Sequence, residues 1–173
     1  MQYGVISDSH DNFYNLEEAI RGMREKGITT CFHLGDFCAG GIVEAMIKHK
    51  DINWICVWGN VDGMQAGMLL RFGSAKNFSI VADQFRELET PDGLIFLTHF
   101  PLLARNAAAS GKYRASFYGH DHAKHTETLE NGTLLANPGE IAGTGSGQPS
   151  FGIWDSKENQ FEIIDLEDFR VPK

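Results

Sequence analysis

A chain of 173 residues, 42% hydrophobic and 22% charged, can bury one substantial core and has the mix of a globular domain. Its longest uncharged apolar runs, Ile52 to Trp58 and Leu94 to Leu97, fall far short of the roughly 20 residues a membrane span needs, so no membrane partner is expected. The formal charge of −8, without a Lys/Arg cluster, disfavours broad nucleic-acid binding.

Met1 leads straight into Gln2-Tyr3-Gly4 with no basic and apolar leader, and Cys31, Cys38 and Cys56 form no CxxC pair. Both features point to cytoplasmic residence with structural thiols.

In chain order, Tyr3 to Ile6 reads as a strand that stops at the polar string Ser7 to Asn12. Phe13, Leu16, Ile20 and Met23 then recur at steps of three and four behind Asn12 as N-cap, with Arg21, Arg24 and Lys26 late, which predicts an amphipathic helix. The alternation repeats as strand Thr29 to Leu34, helix Ile42 to Lys48, strand Ile52 to Trp58 and a helix from Asp62 to Arg71. Such βαβ units argue for parallel strands. The Met- and Leu-rich stretch Gly63 to Gly73 reads as core helix, with an exposed dimer or lid surface as the alternative.

Beyond Arg71 the pattern turns to short strands, Phe78 to Val81, Phe85 to Leu88 and Leu94 to Thr98, whose spacing suggests antiparallel hairpins. A helix containing Ala107 to Ala109 and a strand Ala115 to Tyr118 follow. Asn131-Gly132 is a hairpin signal between Thr126–Glu130 and Thr133–Ala136, and a last hairpin joins Ser150–Asp155 to Gln160–Leu166. With no linker and no repeat, one α/β domain over 1–173 is expected.

Metal-ligand residue types sit where five predicted strands finish: Asp8 and His10, Asp36, Asn60, His99, and His120 with His122. In open α/β sheets ligands bind beyond the carboxyl ends of strands, so these segments can converge on one crevice. Residues two apart in an extended segment point the same way, which pairs Asp8 with His10 and His120 with His122. Glycines before Asp36, Asn60 and His120 permit tight turns. Imidazole, carboxylate and amide donors together suit borderline divalent ions. Manganese, iron, nickel and zinc all fit, and magnesium and calcium suit the set less well. Two dications against the carboxylates of Asp8 and Asp36 leave a positive well for a phosphate.

Other residues carry less. His33 lies inside an apolar run and reads as a supporting or core histidine, His49 as a helix end and His125 as peripheral. Gly143 to Gly147 lacks the Gly-Lys-Ser/Thr ending of a phosphate loop and reads as a flexible surface loop. Cys38 has no evident base to make it a nucleophile.

The order Asp8-x-His10, Gly35-Asp36, Gly59-Asn60-x-Asp62, His99, Gly119-His120-x-His122 resembles the calcineurin-like metallophosphoesterase superfamily. Asn137-Pro138-Gly139 and Gly152-Ile153-Trp154-Asp155 look most like its compact single-domain bacterial and archaeal phosphodiesterase branch. The resemblance implies a four-layer α/β/β/α sandwich of two mixed sheets, with the metal site at the carboxyl ends of strands. By position, Asp8, His10 and His122 would hold one metal, Asn60, His99 and His120 the other, and Asp36 would bridge them. The implied reaction is hydrolysis of a small phosphoester, of diester type, by a metal-bridging hydroxide, from two ions about 3.5 to 4 Å apart.

The chain departs from the pattern in three places. Val61 follows the Asn where many members have a His to protonate the leaving group, which leaves a preference for good leaving groups, or reliance on Asp11, on Asp62 as an orienting group, or on metal-bound water. Phe100-Pro101 and Glu140 also differ from the branch. The competing expectations are a phosphomonoesterase, and a non-catalytic protein-binding scaffold on the same fold, as in the retromer subunit of this superfamily. The scaffold would carry eroded ligands, and none of the seven is eroded here. A homo-oligomer stays open.

Overall fold

The computed structural model describes residues 1–171. Eleven strands and four helices follow in the order β1 (Gln2–Ile6), α1 (Phe13–Glu25), β2 (Thr30–His33), α2 (Gly40–Lys48), β3 (Asn53–Cys56), α3 (Gln65–Phe72), β4 (Phe78–Ile80), β5 (Phe85–Thr90), β6 (Gly93–Thr98), α4 (Pro101–Ala109), β7 (Ala115–Phe117), β8 (Lys124–Thr128), β9 (Leu134–Pro138), β10 (Ser150–Asp155) and β11 (Gln160–Asp165). They form a six-stranded sheet, β11-β10-β1-β2-β3-β4, and a five-stranded sheet, β5-β6-β7-β9-β8. Both are mixed: β1 to β4 run parallel and meet β10 antiparallel, while β6, β7 and β9 run parallel between two antiparallel edge strands.

The two-residue period of the strands builds the layers. Val5, Phe32 and Ile55 point between the sheets, where they meet Leu97, Phe117 and Ala136. Their neighbours Ile6, Cys31 and Trp54 point the other way, onto Leu16, Ile20 and Met23 of α1 and Ile42 and Met46 of α2. On the outer face of the smaller sheet, Leu135 and Tyr118 pack against Ala104 and Ala108 of α4. The result is the expected α/β/β/α sandwich.

Local signals start the helices. The Asn12 side chain accepts the Asn15 N–H at 3.1 Å and so caps α1. Pro101 opens α4, well before the alanines by which the sequence marks that helix, because its fixed φ and missing N–H cost nothing at a first helical position.

Two expectations change. β4 does not form a hairpin with β5. It lies parallel to β3, with Phe78 beside Trp54, so α3 is the crossover of a further βαβ unit and only β5 and β6 pair antiparallel. Asn77 secures the join by donating its amide to the carbonyls of His49 and Ile52 at 3.1 and 3.2 Å. The Met- and Leu-rich stretch divides: Met68 and Phe72 enter the core, whereas Met64 and Leu70 are 85% and 89% exposed. The helix turns its two faces to different surroundings, so neither single description covers it.

Candidate metal centre

All five loops after β1, β2, β3, β6 and β7 open at one edge of the sandwich. There Asp8 and Asp36 are buried, His99 is wholly buried and His10 and His122 are half-buried, while Asn60 and His120 are exposed. Backbone bonds lace the loops together: Asp8 N–H to Gly35 O at 3.0 Å, His10 N–H to Asp36 O at 3.1 Å, and Gly119 N–H to His99 O at 3.2 Å. The His120 N–H donates to Asp8 Oδ2 at 3.0 Å and so ties the smaller sheet to the larger.

The pairing of Asp8 with His10 and of His120 with His122 does not come from extended backbone. These four residues, with Asp11, Asp36 and Cys38, all have φ between 39° and 77°. Left-handed backbone costs a non-glycine residue on the order of 1 to 3 kcal/mol and persists where the surroundings over-determine it. Its concentration here is the mark of a site. Close approach explains two glycines, since a Cβ on Gly59 would overlap Asp36 Oδ1 and one on Gly119 would overlap Ser7 Oγ.

Two groups of donors result. In the first, Asp8 Oδ1 lies 3.4 Å from His122 Nε2 and 3.7 Å from His10 Nε2, and the two imidazole nitrogens are 3.3 Å apart. In the second, His99 Nε2 lies 3.4 Å from Asp36 Oδ2, 2.9 Å from Asn60 Oδ1 and 3.2 Å from His120 Nδ1. Asp36 Oδ2 is also 3.7 Å from His10 Nε2 and so faces both groups. Asp8, His10 and His122, and separately Asp8, Asp36 and His99, offer atoms within 4.8 Å of one another. His120 and His122 thus fall into different groups, although they are two residues apart.

The residues fit divalent cations. Asp8 Oδ1 is buried without a hydrogen-bond donor, a costly state for a carboxylate oxygen unless a cation answers it. Three imidazoles are held by their other nitrogen: His99 Nδ1 donates to Leu34 O at 2.9 Å, His10 Nδ1 lies 3.2 Å from Cys38 Sγ, and His122 Nδ1 lies 2.9 Å from Glu140 Oε2. Each therefore presents Nε2 to the centre, as metal-binding histidines do.

The electrostatics agree. Burial raises the Asp8 pKa, but the neighbouring imidazoles of His10 and His122 outweigh it and hold the carboxyl well below the usual range. Burial likewise opposes ionisation of Asp36, and His99 beside it more than compensates. His122 is pushed up to about 10 by Asp8 and then Glu140. The carboxylates are charged and the imidazoles sit in a field that attracts cations.

Asp62 and Asp11 do different things. Asp62 is buried, and its carboxylate accepts four backbone N–H groups, from Asp36, Phe37, Cys38 and Gly59, at 2.6 to 3.0 Å. Asp11 is exposed, with Oδ1 3.3 Å from the Ala39 N–H. The Val61 side chain is 45% exposed, while its N–H donates to Asp36 Oδ1 at 3.0 Å. Burial and the nearby Asp11 and Asp36 push the Cys38 thiol up to about 11, which leaves it protonated and poorly nucleophilic.

His33 is a buried support: it donates from Nε2 to Ser9 Oγ at 3.0 Å and accepts the Gly35 N–H at 3.2 Å. His49 closes α2, and His125 lies outside the centre. The Gly143 to Gly147 segment is at the surface, yet it is tied down, because Gly145 and Ser146 donate their N–H groups to Glu140. Glu140 itself, fully buried, carries no signal in the sequence beyond its departure from the family pattern.

Comparison with known proteins places this arrangement. Residues 1–159 match the calcineurin-like phosphoesterase superfamily domain. The chain is 31% identical to phosphodiesterase MJ0936 of Methanocaldococcus jannaschii over 169 residues, covering 96% of this chain and all of that protein. An archaeal phosphodiesterase of known structure superposes with a TM-score of 0.87 at 30% identity, over 96% of this chain and all of the other. YfcE, a phosphoesterase from E. coli, shares the fold with a TM-score of 0.67 at 20% identity, again over 96% and 100% of the two chains. The chain belongs to the calcineurin-like phosphoesterase superfamily.

Proposed function

We propose that the protein is a metal-dependent phosphodiesterase acting on a small phosphodiester, with residues 1–173 working as one metallophosphoesterase domain. The observation that carries the reading is Asp36 Oδ2 facing both donor groups, 3.4 Å from His99 and 3.7 Å from His10. Asp8, His10 and His122 would hold one cation, Asn60, His99 and His120 a second, and Asp36 both. Manganese is the ion proposed, and iron, nickel and zinc also suit these imidazole and carboxylate donors. Two such ions would supply positive charge to the phosphoryl oxygens and acidify a water for attack on phosphorus.

The chain's own residues hold the frame. Asp8 and Asp36 are kept ionised, Leu34 O and Glu140 fix imidazole orientation, and Asp62 grips the turn that carries Asp36. With Val61 in place of an imidazole, the leaving group would depart unassisted or take a proton from water or from the exposed Asp11. A preference for good leaving groups follows. The free thiols Cys31, Cys38 and Cys56 accord with a cytoplasmic setting. Among the described residues no helix is long and apolar enough to cross a membrane.

The test is hydrolysis of a chromogenic phosphodiester by metal-stripped protein, with and without manganese, beside the matching monoester. Manganese-dependent turnover of the diester ahead of the monoester is expected. Silence on both from folded, metal-loaded protein would return the scaffold reading.

A further inference from the structure

We propose that Glu140 is a positioning residue of this centre. One carboxylate oxygen holds the tautomer of His122, while the other pins the Gly145–Ser146 backbone as a wall of the adjoining cleft. The inference deepens the metal-centre reading above and rests on it. Glu140 is wholly buried. Its Oε2 lies 2.9 Å from His122 Nδ1, and its Oε1 accepts the Gly145 N–H at 2.8 Å and the Ser146 N–H. Among the described residues His122 is its only ion-pair partner. A buried carboxylate with no Lys or Arg is a poor way to gain stability. Its placement makes sense if the imidazole is what it serves.

A carboxylate on Nδ1 makes that nitrogen carry the proton, so Nε2 turns its lone pair toward Asp8 Oδ1 and becomes a more basic donor. His10 and His99 have only an uncharged sulfur and a carbonyl in the equivalent place. The loop is then joined to the same imidazole. A Cβ on Gly145 would lie 2.6 Å from His122 Nδ1, so only glycine lets the loop approach this closely. His120, Asp121, His122, Ala123, Gly145 and Ser146 line a cleft of about 510 Å³. One side chain thereby sets both a ligand's orientation and the shape of the space beside it.

The experiment titrates metal-free protein with manganese chloride by calorimetry. It also follows the His122 Nδ1–H by NMR in zinc-loaded protein, using Glu140→Gln and Gly145→Ala. Glutamine keeps the shape but offers one acceptor, so its NH2 must oppose either His122 or the two loop N–H groups. Expected is a 10- to 100-fold weakening of one binding event, the same event that His10→Ala removes, with the other unchanged and the Nδ1–H signal shifted upfield or lost. Gly145→Ala should weaken the same event by pressing chiefly on His122 Nδ1, 2.6 Å from the new Cβ, and less on Glu140 Oε1 at 3.3 Å.

Wild-type affinity at both events in Glu140→Gln, or equal weakening of both with a fall in metal-free stability, would overturn the proposal. A wild-type protein that binds two manganese ions but turns over no phosphodiester would defeat the functional reading alone, since neither readout here requires turnover.

Discussion

Asp62 Oδ2 accepts the backbone N–H of Asp36 at 3.0 Å, so the loop after the third strand grips the turn that aims the carboxylate shared by both donor groups. The same oxygen takes the Gly59 N–H at 2.6 Å, and Oδ1 takes those of Phe37 and Cys38 at 2.6 and 3.0 Å. Burial raises the pKa of this carboxyl, and those backbone donors offset part of the rise. In the proposed reaction Asp62 would therefore act through Asp36.

Asp62→Asn puts an NH2 group against one pair of those donors. An unsatisfied buried donor costs about 1 to 3 kcal/mol. Denaturant unfolding of the metal-free variant should show a loss of that order, together with weaker metal binding at both sites. Unchanged stability would mean that the turn holds itself.

Asp36→Ala removes the one group that faces both donor sets. Calorimetry should find both manganese-binding events weakened, and diester turnover should fall by more than about 100-fold, beyond the loss expected for a merely supporting partner. Retention of one full-affinity site would show that the two groups do not share this carboxylate.

Val61→His places an imidazole at the exposed rim beside Asn60. If a leaving-group acid is what the protein lacks, diesters of poorly acidic alcohols should gain at least about 10-fold in kcat, with nitrophenyl esters nearly unchanged. Asp11→Asn should do the reverse, slowing the poor leaving groups alone. A uniform shift across the substrate series in either variant would remove the corresponding role.

His33 predicts a pH dependence. Burial, only partly opposed by Asp8 and Asp36, pushes its pKa down from 6.5 to about 3. The unfolded chain then binds a proton between those values that the folded one does not, so stability falls as pH drops through 6.5 toward 3. His99 and His122, whose values are raised, are protonated in both states below 6.5 and add little slope there. Metal-free protein should lose up to about 1.4 kcal/mol per pH unit between about pH 6 and 5, and His33→Gln should flatten the curve. Equal slopes in the two proteins would mean that His33 does not titrate on unfolding.

What the sequence alone determined is local or carried by residue type. Apolar alternation in Tyr3–Ile6 and Leu94–Leu97, the Asn12 cap and the turn at Asn131-Gly132 report themselves within a few residues, because a strand face, a helix start and a hairpin are short-range events. The seven candidate donors are legible for the same reason: each is a residue type able to ligate metal, standing where a predicted strand ends. Which strand pairs with which is different. Phe78–Ile80 contains nothing to choose β3 over β5, and the tertiary structure decides it by burying Phe78 beside Trp54.

The supporting residues are likewise set at a distance. Asp62 lies 26 positions from the Asp36 N–H it accepts, and Glu140 meets His122 only because the smaller sheet brings their strand ends together. The left-handed backbone at Asp8, His10, His120 and His122 is invisible in residues that ordinarily prefer other conformations. It is imposed by the surrounding fold, which alone can meet its cost.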